Sequence, residues 1–306
     1  MRLTIKDTNK VLQNYDLGEV SITKRLTSGF ANINYKIKTT KSNFLFRICA
    51  EKSLKEIQYE IKVMNELRKI KFPTAFPIKR KDGEFINKTK FGEVVIYDFA
   101  VGGEPNVNEK TAKEIAKAVA KLNTLRNWKE LKKGNAINLK LCRDNIGKFD
   151  SAKNKYSEIF EYFKEETEFL SKPLKEKVPQ GLVHGDIFPD NTKFKGNKLV
   201  AILDFEEVCT DNLLFDIGVT INGFCFQNNK LNPKLLEVFM EEYQKIRKIS
   251  PKERKLLPYY IQWGAHAMIC WHLKHLLNRK ETKKLNRVKY LMNRVKRLRK
   301  LPPSAF

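Results

Sequence analysis

The 306-residue chain reads as an α+β protein of two lobes: a small antiparallel β lobe with one main helix, then a larger, mostly helical lobe. Three observations carry this. Residues 19–48 hold three short alternating runs, EVSITKRL, NINYKIKTT and NFLFRICA, separated by Ser28-Gly29 and Lys41-Ser42-Asn43, so a meander of three strands is expected. Residues 109–125, 150–171, 234–248 and 255–278 instead carry apolar stripes with a period near 3.6, the mark of amphipathic helices. Between the two regimes stands Ala100-Val101-Gly102-Gly103, a plausible hinge, which divides the chain into lobes 1–100 and 101–306.

Within the first lobe, Leu54, Ile57, Ile61, Met64 and Leu67 recur at helical spacing up to Phe72-Pro73. A hairpin around Asp82-Gly83 (Pro77-Ile78 to Phe85-Ile86) and a strand over residues 93–99 complete the expected sheet. In the second lobe the expected strands are confined to the region around His184–Glu207. Leu182-Val183 approaches it, Gly196-Asn197 forms a hairpin turn, and Val200-Ala201-Ile202-Leu203 is a buried strand ending at Asp204. A cleft between two such lobes is a natural ligand site.

The composition bounds the function classes. Apolar residues make up 42%, with no run long enough to span a bilayer, and the first residues lack an apolar signal core. Five scattered cysteines without a CxxC pair suit buried free thiols in a reducing, cytoplasmic setting. The net charge of +25 comes from lysine spread along the whole chain rather than from one patch, which argues against nucleic acid as the main partner. That charge still steers anions such as ATP toward the protein, an effect weakened by salt.

The chemistry sits in HGDIFPDNTKFKGNKLVAILDFEE, residues 184–207. Asp186 is placed to accept the proton of an attacking hydroxyl, and Asn191 and Asp204 offer hard oxygens to the Mg²⁺ that accompanies a nucleotide. A phosphate loop of the G-x-x-x-x-G-K-[ST] kind is absent. Its replacement is the turn over Thr27–Tyr35, where Ser28, Gly29 and Asn32 are the candidates for holding phosphate through backbone and side chain. Arg47, flanked by Phe46 and Ile48, is expected to leave the core face and pair with Glu60 beside the phosphates, although Lys36 or Lys38 fits the same role. Asp216, amid apolar residues, reads as an anchor for the catalytic loop. Glu206 and Asp211 suit a substrate ammonium group. His266 and Cys270 stand four apart, a workable zinc spacing, but lack further ligands and read as core. The terminal segment 279–300 carries eleven lysines or arginines over an apolar stripe and reads as a closing helix packed on the second lobe; lying on a membrane or on RNA is the other use of such a helix.

The chain resembles the aminoglycoside phosphotransferase and choline kinase superfamily, whose fold is protein-kinase-like, and within it the bacterial type II homoserine kinases. The segments that carry the resemblance are Gly29–Tyr35, Val183–Asn191, Ile202–Phe205, Cys209-Thr210-Asp211, Asp216-Ile217 and Ile221–Phe226. It implies Asp186 as catalytic base and Asn191 and Asp204 as Mg²⁺ ligands. It also implies ATP as donor and the side-chain hydroxyl of L-homoserine as acceptor, in threonine biosynthesis, with Asn34 and Asn222 joining Glu206 and Asp211 as candidates for holding the substrate. The alternatives are another small hydroxylated amine (choline, ethanolamine, an aminoglycoside) or a non-catalytic kinase-like module binding RNA or membrane. Two residues depart from the family pattern: Gly185 stands where Ala is usual, and the helix around Trp271 lacks an arginine just before the tryptophan.

Overall fold

The computed structural model describes residues 3–26, 32–151, 156–279, 285–302 and 305–306. The chain divides into two compact units, one of residues 1–103, 193–195 and 200–206, the other of residues 104–192, 196–199 and 207–306.

The first unit is built on an antiparallel sheet of β1 (Val20–Arg25), β2 (Ile33–Thr39), β3 (Asn43–Cys49), β4 (Ile86–Thr89) and β5 (Gly92–Asp98), ordered β1-β2-β3-β5-β4. Two helices accompany it. α1 (Ile5–Leu12) starts with a capping box in which Thr4 and Asp7 satisfy each other's backbone N–H groups. α2 (Leu54–Lys69) starts with the equivalent Ser53–Glu56 box. Because side chains alternate across a strand, β3 sends Phe44, Phe46 and Ile48 into one apolar cluster with Leu3, Val11 and Leu12. Cys49 points to the other face, into a cluster with Ile57 and Ile61 of α2. Both faces are therefore covered, and Arg47, on the α2 face, is only 7% exposed. The expected hairpin at Pro77–Ile86 differs in detail. Pro77 makes one isolated bridge to Tyr97, and the strand proper begins at Ile86.

The second unit holds α3 (Glu109–Asn123), α4 (Leu139–Ser151), α5 (Ser157–Ser171), α6 (Leu213–Phe224), α7 (Pro233–Ile246), α8 (Pro251–Arg279) and α9 (Leu285–Leu298). α1, α4 and α6 were not anticipated from periodicity. α1 is only eight residues long, too short for its stripe of Thr8, Val11 and Leu12 to stand out, and α6 is almost wholly buried, so it shows no polar face. Eleven of the twelve residues of α6 are buried, which makes it the central helix of this unit. The unit also contains strands beyond the expected hairpin. β6 (Gln180–Val183) pairs antiparallel with β9 (Cys209–Asn212), Val183 opposite Cys209, and β10 (Phe226–Gln227) pairs with β11 (Lys230–Leu231). Each is too short to show a period. The anticipated hairpin is β7 (Thr192–Lys195) and β8 (Lys198–Ile202), turning at Gly196 with φ +60°. Much of it groups with the first unit rather than with the helices: Phe194 exchanges two backbone bonds with Gly103, and the Ile202 N–H donates to the Pro73 carbonyl.

α9 buries Val288, Leu291, Met292, Val295 and Leu298, so its apolar stripe is consumed by packing. All five cysteines are buried and free. No helix among the described residues is long and apolar enough to cross a membrane.

The tightest crossing is α6 on α8. A Cβ added at Gly218 would lie 2.1 Å from the Tyr260 carbonyl oxygen, and one at Gly264 would lie 2.9 Å from Gly218 backbone. Two glycines thus let the helix backbones touch. Gly218→Ala is expected to lower the unfolding free energy by about 2–3 kcal/mol, since backbone rather than a movable side chain must yield. Urea denaturation followed by circular dichroism measures this; an unchanged midpoint would show that the helices separate at no cost.

Candidate active site

In the second unit β6 delivers His184, Gly185 and Asp186 at its end. His184 is fully buried, and the backbone N–H of Asp186 donates to its Nδ1 at 3.2 Å, which leaves the ring proton on Nε2. Gly185 has φ +81°, while the nearest atom to an added Cβ is an ordinary 3.6 Å away. Backbone conformation, rather than space, is what favours glycine there. The loop then tightens. The Phe188 N–H donates to the Asp186 carbonyl, and the Asn191 N–H donates to the Phe188 carbonyl. This folds Asn191 back so that its Nδ2 donates to the Asp186 carboxylate at 2.7 Å and to the Asp186 carbonyl at 2.9 Å. With Nδ2 spent on Asp186, the amide oxygen is the end of Asn191 that can face a ligand.

The loop hangs on Asp216 of α6. Its Oδ1 accepts the backbone N–H groups of His184 at 3.1 Å and Gly185 at 2.9 Å, and its Oδ2 accepts from Asn123 Nδ2 at 3.3 Å. The chain of donors continues outward: Tyr243 OH donates to Asn123 Oδ1, and Arg247 donates to Tyr243 OH and pairs with Glu253. Burial pushes the Asp216 carboxyl up from the usual range, while the N–H groups of Gly185 and His184 pull it back. The role expected of Asp216 therefore has a geometry, although its contacts are to backbone N–H groups.

In the first unit the nucleotide candidates gather on the α2 side of the sheet. Arg47 donates to Glu60 Oε1 at 3.0 Å, Tyr97 OH donates to the same oxygen at 3.2 Å, and the guanidinium lies 4.9 Å from the Tyr97 ring centre. Burial works against the charge on Arg47, but Tyr97, Glu60 and Asp204 together raise its pKa above the ordinary value. Lys36 sits over the Phe99 ring instead, and Lys38 is exposed, so neither occupies the position beside Glu60.

Asp204 adopts φ +65°, unusual for an L residue, and its Oδ1 is buried with no hydrogen-bond partner among the described residues. Asn32 and Asn34 also hold buried side-chain oxygens without partners. Asn34 faces Arg47 across the β2–β3 ladder, beside a nucleotide candidate. Asn32 Nδ2 donates to Glu206 at 2.7 Å. Ser28 and Gly29 lie outside the described residues.

The remaining candidates, Asp211 and Asn222, belong to the second unit. Asp211 accepts from Asn135 Nδ2 at 2.7 Å and from the Asn212 N–H at 2.6 Å, and burial raises its pKa. Asn222 is enclosed: Nδ2 donates to the carbonyls of Gly218 and Ile261, and Oδ1 accepts from Arg294. Its amide is committed to joining α6 to α8 and α9. His266 stacks on Phe163 at 4.6 Å and shares a hydrogen bond with Thr167, and burial lowers its pKa to about 3. It is a neutral core histidine. Asn135 and Asn123 escaped the sequence reading because each acts on a residue 76 or 93 positions away, and no local pattern marks them.

Comparison with known proteins places the chain among phosphotransferases. A homoserine kinase of Bradyrhizobium diazoefficiens is 26% identical over 275 residues, covering 87% of this chain and 83% of that protein. One of Agrobacterium fabrum is 25% identical over 260 residues, covering 84% and 81%. Among solved structures, a microcompartment-associated aminopropanol kinase superposes with a TM-score of 0.74 at 14% identity, over 99% of this chain and 98% of its own. The amicoumacin kinase hAmiN in complex with AMP-PNP, Ca²⁺ and amicoumacin gives 0.71 at 12%, over 96% and 97%. These superpositions show a shared kinase-like fold. The pattern of the phosphotransferase enzyme family matches residues 22–256, most of the chain, and the protein belongs to that family.

Proposed function

We propose that this phosphotransferase transfers the γ-phosphoryl group of ATP to the side-chain hydroxyl of L-homoserine. The observation that supports the chemistry is the Asp186–Asn191 pair, a carboxylate held at 2.7 Å by an amide on a loop anchored to Asp216. Homoserine as acceptor is supported by the relatives that carry that name over more than four-fifths of their length. Nucleotide and divalent-ion use is supported by the neighbour bound to AMP-PNP and Ca²⁺.

In this reading the acceptor hydroxyl donates its proton to Asp186 as its oxygen forms a bond to the γ-phosphorus and the bond to the β-bridging oxygen breaks. Asn191 holds Asp186 in position for that transfer. Asp204 and the amide oxygen of Asn191 would hold Mg²⁺, and the buried, partnerless Oδ1 of Asp204 suits a metal ligand. When bound, the ion neutralises charge on the phosphate oxygens. Arg47, kept charged and fixed by Glu60, offers a planar fork to the same phosphates, a geometry lysine does not reproduce. Glu206 and Asp211 are the candidates for the substrate ammonium group.

A coupled assay of ADP release over homoserine, aminopropanol, choline, ethanolamine and spectinomycin tests the acceptor. The highest kcat/KM should belong to L-homoserine; a preference for any other member of the panel replaces it. Asp186→Ala should lower kcat by about 10²–10⁴-fold with ADP affinity nearly unchanged; turnover near that of the parent protein removes Asp186 from the chemistry. Asp204→Asn should weaken the metal-dependent part of nucleotide binding on the order of 10- to 100-fold in a calorimetric titration of Mg²⁺ and ADP. Identical metal dependence in variant and parent would count against the ligand role.

A further inference from the structure

Tyr243 stands in the last turn of α7, fully buried, its ring stacked on Phe239 with the centres 6.3 Å apart. Its hydroxyl lies in an unbroken line of hydrogen bonds that ends on the catalytic loop. Arg247 Nη1 donates to Tyr243 OH at 3.2 Å, Tyr243 OH donates to Asn123 Oδ1 at 2.8 Å, and Asn123 Nδ2 donates to Asp216 Oδ2 at 3.3 Å. The same Nδ2 also donates to the Leu182 carbonyl at 3.4 Å.

The direction of this line has one solution. A guanidinium carries donors only, so the hydroxyl must accept from Arg247, and its proton is left for Asn123. At the other end the Leu182 carbonyl and the ionised Asp216 carboxylate only accept, so they take the NH₂ group of Asn123 and leave its oxygen for Tyr243. Two groups able both to donate and to accept are thus held between a cation and an anion. Turning either one round sets acceptor against acceptor or donor against donor. Burial works against the charge on Arg247, but Tyr243 and Glu253 raise its pKa above the ordinary value, so its donors persist. Burial also raises the Tyr243 phenol above its usual range, which keeps its proton in place.

A buried hydroxyl benefits from a partner anywhere, so one contact decides nothing. Elsewhere in this unit the buried Tyr162 hydroxyl, Gln262 Oε1 and Asn145 Oδ1 have no partner among the described residues. Here four side chains in succession are satisfied, and the place where they end matters. Segment 182–185 presents the Leu182 carbonyl and the N–H groups of His184 and Gly185, and Asn123 and Asp216 engage all three. Donors and acceptor at the exit of β6 are gripped together, directly before Asp186. A buried polar network with every member satisfied is rigid and specifies one arrangement.

We propose that Tyr243 is a positioning residue for phosphoryl transfer: through Asn123 it aligns the groups that fix the backbone of residues 182–185, and with it the carboxylate of Asp186. The proposal rests on Asp186 as the base, and its test separates the two. Tyr243→Phe removes the hydroxyl and keeps the stacked ring. Labelling with ¹³C-carbonyl valine and ¹⁵N-histidine isolates the His184 amide by NMR, because Val183-His184 is the one Val-His pair in the sequence. Without substrates, the His184 amide proton should move upfield in Tyr243→Phe as its bond to Asp216 loosens. With ATP and acceptor saturating, kcat should fall about tenfold, the effect of one buried hydrogen bond, while both KM values stay within about twofold. The Asn123→Ala/Tyr243→Phe double variant should be no slower than Asn123→Ala, since both act through one line. A merely structural tyrosine would lower stability, leave the amide signal in place and add its effect to that of Asn123→Ala. An unmoved signal, additive losses, or a moved signal with unchanged kcat each overturns the proposal. If Asp186→Ala turns over like the parent protein, the function proposed above falls, and the amide signal still decides the relay.

Discussion

One buried carboxylate organises the catalytic half of this molecule. Among the described residues no lysine or arginine pairs with Asp216; two backbone N–H groups and the Asn123 amide bond to its oxygens. A carboxylate taken out of water is costly, and hydrogen bonds to a charged group, each worth about 1.5–3 kcal/mol, are what offset the cost. The N–H groups of His184 and Gly185 are therefore held in the one orientation that satisfies Asp216, and the glycine supplies the positive φ that orientation needs. Asp186 inherits its position from backbone geometry upstream, and Asn191 then closes the loop over it.

The first unit solves a related problem with opposite charge. Arg47 lies between two covered faces of a sheet, where an unpaired guanidinium would be prohibitive, and Glu60 reaches it from α2. Tyr97 shares the Glu60 oxygen and places its ring by the cation. The pair defines the α2 side of β3 as polar at one position within an apolar layer. Asp204 combines a positive φ with a buried oxygen that has no partner among the described residues. Strained backbone and an unsatisfied carboxylate at one residue are uneconomical for stability, and such features concentrate where a protein binds or reacts.

Close helix contact supports the helix that carries Asp216. Gly218 and Gly264 let α6 and α8 touch backbone to backbone. Asn222 then spends its amide on α6 and α8 carbonyls, and Arg294 of α9 covers its oxygen. Polar residues that look available in a motif are here structural joints, and their chemistry is used up by packing.

Residue order alone makes most of the regular elements legible. Alternation set β1–β3 and β5, helical periodicity set α2, α3, α7 and α8, and Gly196-Asn197 set the hairpin turn; that the Asn191 amide donates to the Asp186 carboxylate was not legible from their spacing. Only the tertiary structure decided which polar residues are engaged and by what. Asp216 meets a loop about thirty residues upstream, Asn135 meets Asp211 across 76 residues, and Asn222 is enclosed by helices from the end of the chain. Local patterns report which face of an element is buried, because that depends on neighbours one turn or one pleat away. They carry no record of which distant group arrives at that face, and the charge and hydrogen-bonding state of a site residue are set by that arrival.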